Sequence, residues 1–314
     1  MPVGNWTYSV YGLVLTSDQP IEELWPCEPG PPSLFVRWVE EELVPDGSVW
    51  FREWDDTGSP SLRVARADGR YLLQFPGKAG FRVSSDGREV ECRPEAGIPH
   101  YTVRHLLLNQ VLPLVLSRQR VPVFHGSCVD LGSGAAVFAG ATGRGKSTLS
   151  GFFARCGYPL VTDDCVALVP TEAGFAVSPS YPGVRLWKDS LEFLNGDETT
   201  CPPVAHDKTK RHFAGGVMSS STRPVPLRRF YCLDRSEGNT IEITRLEGAA
   251  LIREVVSSQF LLDSGDPREL ETSFRTACRI AETGSCYRLV VPRGFDRLPE
   301  VADTISRHAQ RSFQ

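Results

Sequence analysis

The sequence has no long apolar run, no closely paired cysteines and no surplus of basic charge. Its most apolar stretch, residues 106–116, is interrupted by Asn109, Gln110 and Pro113. That is too short and too polar to cross a hydrocarbon core of roughly 30 Å. Residues 1–17 lack a basic start followed by an apolar segment, so no targeting signal is expected. The nine cysteines are scattered without a CxxC pair. An odd number at irregular spacing argues against a disulfide framework and a structural zinc. A reducing cytoplasm is the expected setting. The net charge of −4 leaves no basic excess, so neither nucleic acid nor an anionic membrane is expected as partner. Internal repeats and low-complexity tails are also missing.

What is present fits a globular chain. The 314 residues are 41% hydrophobic, enough for two domains with buried cores. The first hundred residues read as β-rich. Tyr8-Ser9-Val10-Tyr11 has strand character, and Phe81 and Val83 alternate with polar residues. Val90 and Cys92 do the same beyond Asp86-Gly87, which is a hairpin signal. Asp68-Gly69 marks another turn. Over residues 103–119 the apolar period lengthens: Val103, Leu106, Leu107, Val111, Leu114 and Val115 predict an amphipathic helix, kinked or ended by Pro113. The domain boundary is expected between residues 100 and 118, dividing the chain into 1–115 and 116–314. Beyond it strands and helices alternate. Strands are expected at 121–125, 129–131, 135–139, 160–161, 229–233, 241–244 and 287–291. Helices are expected at 146–156, 249–262, 267–283 and 298–308.

Gly140-Ala141-Thr142-Gly143-Arg144-Gly145-Lys146-Ser147-Thr148 fits G-x-x-x-x-G-K-[ST]. Glycines let a backbone curl so that several amides face one anion. A helix opening at Lys146 adds its positive end. Lys146 is placed to reach β- and γ-phosphates, and Ser147 offers a hydroxyl to Mg²⁺. An apolar segment leads in and a helical one leads out, as a nucleoside triphosphate site requires. Arg144 reads as a loop decoration or a phosphate contact.

Asp163-Asp164 follows a short apolar segment, 17 residues after Lys146. Two readings stand: the pair caps a turn in solvent, or it serves metal binding and proton abstraction beside the phosphates. His125-Gly126-Ser127 lies at the end of an expected strand, 15 residues before Gly140.

Phe124-His125-Gly126-Ser127, the glycine motif and Val161-Thr162-Asp163-Asp164, at these intervals, resemble the HPr kinase/phosphorylase family. That family is related in fold to the ATP-dependent phosphoenolpyruvate carboxykinases. Residues 181–189, 226–231 and 287–290, with the opening Tyr11-Gly12-Leu13 to Glu23-Leu24, look like the HPr-kinase-like proteins of bacterial peptide-biosynthesis clusters. Some of those phosphorylate a serine of a ribosomal precursor peptide, including lasso precursors. The resemblance implies an α/β fold: a P-loop kinase domain of the HPr kinase/phosphoenolpyruvate carboxykinase type behind a smaller β-rich domain. It implies ATP and Mg²⁺, with Asp163 as general base, Asp164 on the metal and His125 beside Asp163. A homo-oligomer follows as well, since the relatives form hexamers. The family's second glycine-rich signature has no counterpart; Val184-Arg185-Leu186-Trp187 occupies that region. HPr and the phosphorylase reaction are therefore not expected.

Downstream, Arg185 and the basic run Lys208, Lys210 and Arg211 either face solvent or contact phosphate. Cys201, His206 and His212 fit no zinc spacing. The combined expectation is γ-phosphate transfer from ATP to a serine hydroxyl of a peptide or small protein. The alternatives are a kinase of a small metabolite such as free serine, and a nucleotide-binding regulator that does not catalyse.

Overall fold

The structure, a computed structural model, describes residues 5–45, 48–56, 59–181, 183–194, 211–213 and 223–311. The chain forms two units, Met1–Arg120 and Val121–Gln314. Both combine large sheets with few helices.

In the first unit nine strands form one sheet: β1 (Trp6–Val10), β2 (Leu13–Ser17), β3 (Trp25–Pro26), β4 (Leu34–Trp38), β5 (Trp50–Asp56), β6 (Ser59–Ala67), β7 (Arg70–Phe75), β8 (Ala79–Val83) and β9 (Glu89–Pro94). Their spatial order is β3-β1-β2-β4-β9-β8-β7-β6-β5. The expected hairpins form: Asp68-Gly69 joins β6 to β7, and the Asp86-Gly87 turn joins β8 to β9. Alternation fixes the buried face, since Ala79, Phe81 and Val83 are inaccessible while Arg82 is half-buried.

The helical stretch is continuous rather than broken. It runs as α1 (His100–Leu106), a π-helical segment (Leu107–Val111) and α2 (Leu112–Arg118). Pro113 sits in the first turn of α2, directly after the wide turn. A locally widened helix accommodates a residue without an amide, so the proline neither ends nor sharply divides the helix.

The second unit holds β10 (Val123–Asp130), β11 (Ala135–Ala139), α3 (Lys146–Arg155), β12 (Leu160–Thr162), β13 (Cys165–Thr171), β14 (Gly174–Ser178), β15 (Val184–Leu186), α4 (Lys188–Phe193), β16 (Arg211–Phe213), β17 (Val225–Arg235), β18 (Glu242–Arg245), α5 (Gly248–Ser257), α6 (Pro267–Glu282), β19 (Cys286–Val291) and α7 (Leu298–Gln310). The order is β11-β10-β13-β14-β17-β19-β18, and β11 also pairs parallel with β17. That last pairing closes β10, β13, β14, β17 and β11 into a hydrogen-bonded circuit. The two short strands expected around residues 121–131 are one strand, β10, so His125 lies mid-strand rather than at a strand end. Gly126 permits this continuity: a Cβ there would lie 2.8 Å from the Phe138 carbonyl oxygen on β11.

Both faces of β11 are buried, which explains its unbroken apolar run. Ala135, Val137 and Ala139 face a core shared with Phe124, Phe230 and α5–α6. Ala136 and Phe138 face a second core with α3 and α7. The Phe138 ring stacks on Phe153 of α3 at 5.9 Å and on Tyr231 of β17 at 5.8 Å. Burying such a ring stabilises by about 1.5–3 kcal/mol and fixes α3 against the strand that feeds it.

Candidate functional site

β11 ends at Ala139 and the chain turns through residues 140–145 into α3. Gly140, Gly143 and Gly145 have φ of 140°, 81° and 93°, which L side chains rarely adopt. At Gly140 space excludes a side chain as well, since a Cβ would approach the Leu233 carbonyl oxygen to 2.7 Å. α3 starts with no side-chain cap at Gly145, so its first amides remain open to an anion. Lys146 is buried, and its Nζ donates to the carbonyls of Gly140 at 2.8 Å and Ala141 at 3.0 Å. The loop thus holds its own cation. The Thr148 hydroxyl lies 3.0 Å from that of Ser190, tying α3 to α4.

The carboxylate pair occupies the bend between β12 and β13. Thr162 anchors the bend, its hydroxyl donating to the Cys165 carbonyl at 2.6 Å. Asp163 is only 3% exposed. Its Oδ2 accepts from the Arg185 amide at 2.9 Å, while Oδ1 is buried without a hydrogen-bond partner. Burial pushes the Asp163 carboxyl up. The Arg185 guanidinium opposes this, Asp164 adds to it, and the hydrogen bond from the Arg185 amide and the nearby Ser147 hydroxyl oppose it further. Ser147 and Asp163 therefore sit side by side.

Asp164 has a left-handed φ of 69° and a more accessible side chain. Its Oδ2 lies 3.2 Å from Arg185 Nη1, and its Oδ1 lies 3.6 Å from His125 Nδ1. Arg185 spans the pair, because its Nη2 donates to the Asp163 carbonyl at 3.1 Å. The guanidinium is itself buried, so it acts at low effective dielectric. The His125 ring packs edge-on against Phe260 at 5.8 Å.

Lys146, Ser147, His125, Asp164 and Arg185 line one cleft of about 140 Å³. The sequence reading missed others on its wall, notably Arg235, Trp187, Asp189 and Phe295. Arg235 ends β17, and its Nε donates to the Arg144 carbonyl at 3.1 Å. A distant strand brings it to the loop, so no local pattern marks it; Trp187 and Asp189 lie within the stretch that carried the weaker resemblance. Burial, with Arg293 and Arg144 nearby, lowers the Arg235 guanidinium below its usual range. Arg144 points outward to Asp234 at 3.0 Å. Lys208 and Lys210 lie outside the described residues. Of Arg211 only the backbone is described, paired with Leu186.

The eight cysteines among the described residues are free thiols. No helix among the described residues is long and apolar enough to cross a membrane.

In class, this is a mixed α/β protein whose second unit presents a glycine loop, Lys146 and Asp164 to one cleft. No family model matches the chain. No curated protein matches it in sequence. Among solved structures it is similar to the Hpr(Ser) kinase/phosphatase from Coxiella burnetii, at 10% identity and a TM-score of 0.29. That match covers 59% of this chain and 95% of the other.

Proposed function

We propose that the second unit is an ATP-dependent kinase that phosphorylates a hydroxyl, with a serine of a peptide or small protein as acceptor. One observation carries the proposal: an open-ended glycine loop with Lys146 faces Asp164 and His125 across a single cleft. A triphosphate laid along the loop meets free amides and three cations, Lys146, Arg185 and Arg235. Trp187, exposed beside the cleft, offers a flat surface to an incoming chain segment.

The residues also fit a divalent cation. The orphaned buried Oδ1 of Asp163, next to the Ser147 hydroxyl, supplies the hard oxygens that Mg²⁺ prefers. Bound there, Mg²⁺ would neutralise phosphate charge. The proton-accepting role then falls to Asp164, which reverses the division implied by the family resemblance. Asp163 is too buried to meet an acceptor, whereas Asp164 lines the cleft beside His125. In the reaction the acceptor oxygen bonds to the γ-phosphorus, the bond to the β-phosphate oxygen breaks, and the hydroxyl proton passes to Asp164. Arg185 holds both aspartates in place, and His125 orients Asp164.

The test supplies labelled ATP, Mg²⁺ and a panel of serine peptides together with free serine. Asp164→Asn should slow transfer by about 10²–10⁴-fold while nucleotide affinity stays near that of the native chain. ATP binding without transfer to any acceptor would overturn the kinase reading. Full activity in Asp164→Asn would overturn the role of that carboxylate.

A further inference from the structure

A second cavity, of about 240 Å³, adjoins the cleft. Most of its wall is hydrocarbon: Leu149 of α3, Leu233 of β17, Val291 of β19, Pro292, and Leu298 and Val301 of α7. The polar side chains on its wall are Arg144, Thr148, Asp189 and Arg235, and the last three are shared with the cleft. Gly145 and Phe295 are shared too. The two cavities are therefore neighbours with a common border, one polar and one apolar. Together they enter the range of roughly 300–1,000 Å³ typical of small-ligand sites.

We infer that the apolar cavity is a nucleobase site and that its border with the cleft takes the ribose. The inference rests on the reading of the glycine loop as a triphosphate site. The covalent order of a nucleotide supplies the geometry. Phosphates in the cleft lead to the sugar, and the sugar leads to the base. Whatever separates the two cavities must then flank the sugar. Asp189 is suited to this, because its Oδ1 is anchored by the Ser190 amide at 2.8 Å and a carboxylate accepts from vicinal hydroxyls. Arg235 stands at the same border as a cation for the α-phosphate.

The base itself meets leucine, valine and proline side chains and the Phe295 ring. Phe193 stacks on that ring with centroids 5.0 Å apart and planes 17° apart, which holds it in orientation. Such a wall selects a flat, weakly polar surface by area and shape. Larger purines are held more tightly than pyrimidines, and little separates one purine from another, since hydrogen-bonding side chains are confined to Arg144 and the shared border.

Calorimetric titration of the native chain with Mg·ATP, Mg·CTP and inorganic tripolyphosphate tests this, alongside Phe295→Ala and Leu298→Asp. Phe295 lies in the segment between β19 and α7, and Leu298→Asp places a charge in the cavity at a helix start; thermal melting of each variant checks that it is folded before titration. In both variants ATP should weaken about tenfold or more while tripolyphosphate holds within about twofold. CTP should bind the native chain more weakly than ATP. Native affinity for ATP no greater than for tripolyphosphate, or unchanged ATP binding in both variants, overturns the base site alone. Failure of both ligands to bind the native chain overturns the triphosphate reading with it.

Discussion

Replacing Arg185 by alanine should destabilise the second unit in a pH-dependent way. The buried guanidinium bridges the Asp164 carboxylate and the Asp163 carbonyl. Removing one partner of a fully buried pair costs about 3–5 kcal/mol, because the other charge is left without compensation. The Asp164 side chain is 22% exposed, so water recovers a share, leaving about 2–3 kcal/mol at neutral pH. The pH dependence comes from Asp163. Its folded pKa is raised, so the native state holds more protons than the unfolded chain above the unfolded value of 3.8. Stability therefore falls as pH rises through that window. Arg185 is the strongest influence holding the pKa down. Without it the window extends further upward, and more stability is lost by neutral pH. When both carboxyls are protonated the penalty should shrink to about 1 kcal/mol, the worth of the lost carbonyl hydrogen bond. Urea unfolding at several pH values measures this, followed by circular dichroism and by Trp187, the one tryptophan beyond residue 120. Lysine at this position should recover part of the loss, since it restores charge without the fork. A penalty that stays constant between acid and neutral pH, or one under about 1 kcal/mol at neutrality, would refute the reasoning.

Two further outcomes follow from geometry away from the carboxylates. Gly140→Ala should cost about 1–3 kcal/mol and weaken nucleotide binding, because its φ and the Leu233 carbonyl both reject a Cβ; thermal melting and titration check this. His308 accepts from or donates to the Tyr231 hydroxyl at 2.8 Å, and burial with Arg229 and Arg311 nearby lowers its pKa to about 4. The unfolded chain binds the proton first, so stability should fall as pH drops from about 6.5 toward 4; a His308→Phe variant whose melting keeps the same acid slope would exclude this origin.

The loop was legible because its chemistry is local: three glycines, a lysine and a serine within eight residues fix both backbone and charge. The carboxylate pair was legible as a pair, but adjacency in sequence conceals a sharp difference in environment. Asp163 turns inward and Asp164 turns to the cleft, and only packing decides which. Arg235 and Phe295 were invisible for another reason. They come from β17 and from the segment before α7, far along the chain, and nothing in their own neighbourhoods marks them. The expected strand end at His125-Gly126-Ser127 was wrong because polar His125 and Ser127 around a glycine interrupt the apolar run, while here Gly126 allows two backbones to approach.

The hydrogen-bonded circuit of β10, β13, β14, β17 and β11 has a mechanical consequence. His125 hangs on one member of this hoop, the loop springs from a second, and Arg235 ends a third. A hoop resists shear, because sliding one strand breaks ladders on both sides. The distance from His125 to the loop is thus set by the frame and not by the ligand. Any tightening around a substrate has to come from pieces outside the frame: Trp187 with α4, and the segment carrying Phe295. The framed wall is the anvil, and those two pieces are the jaws.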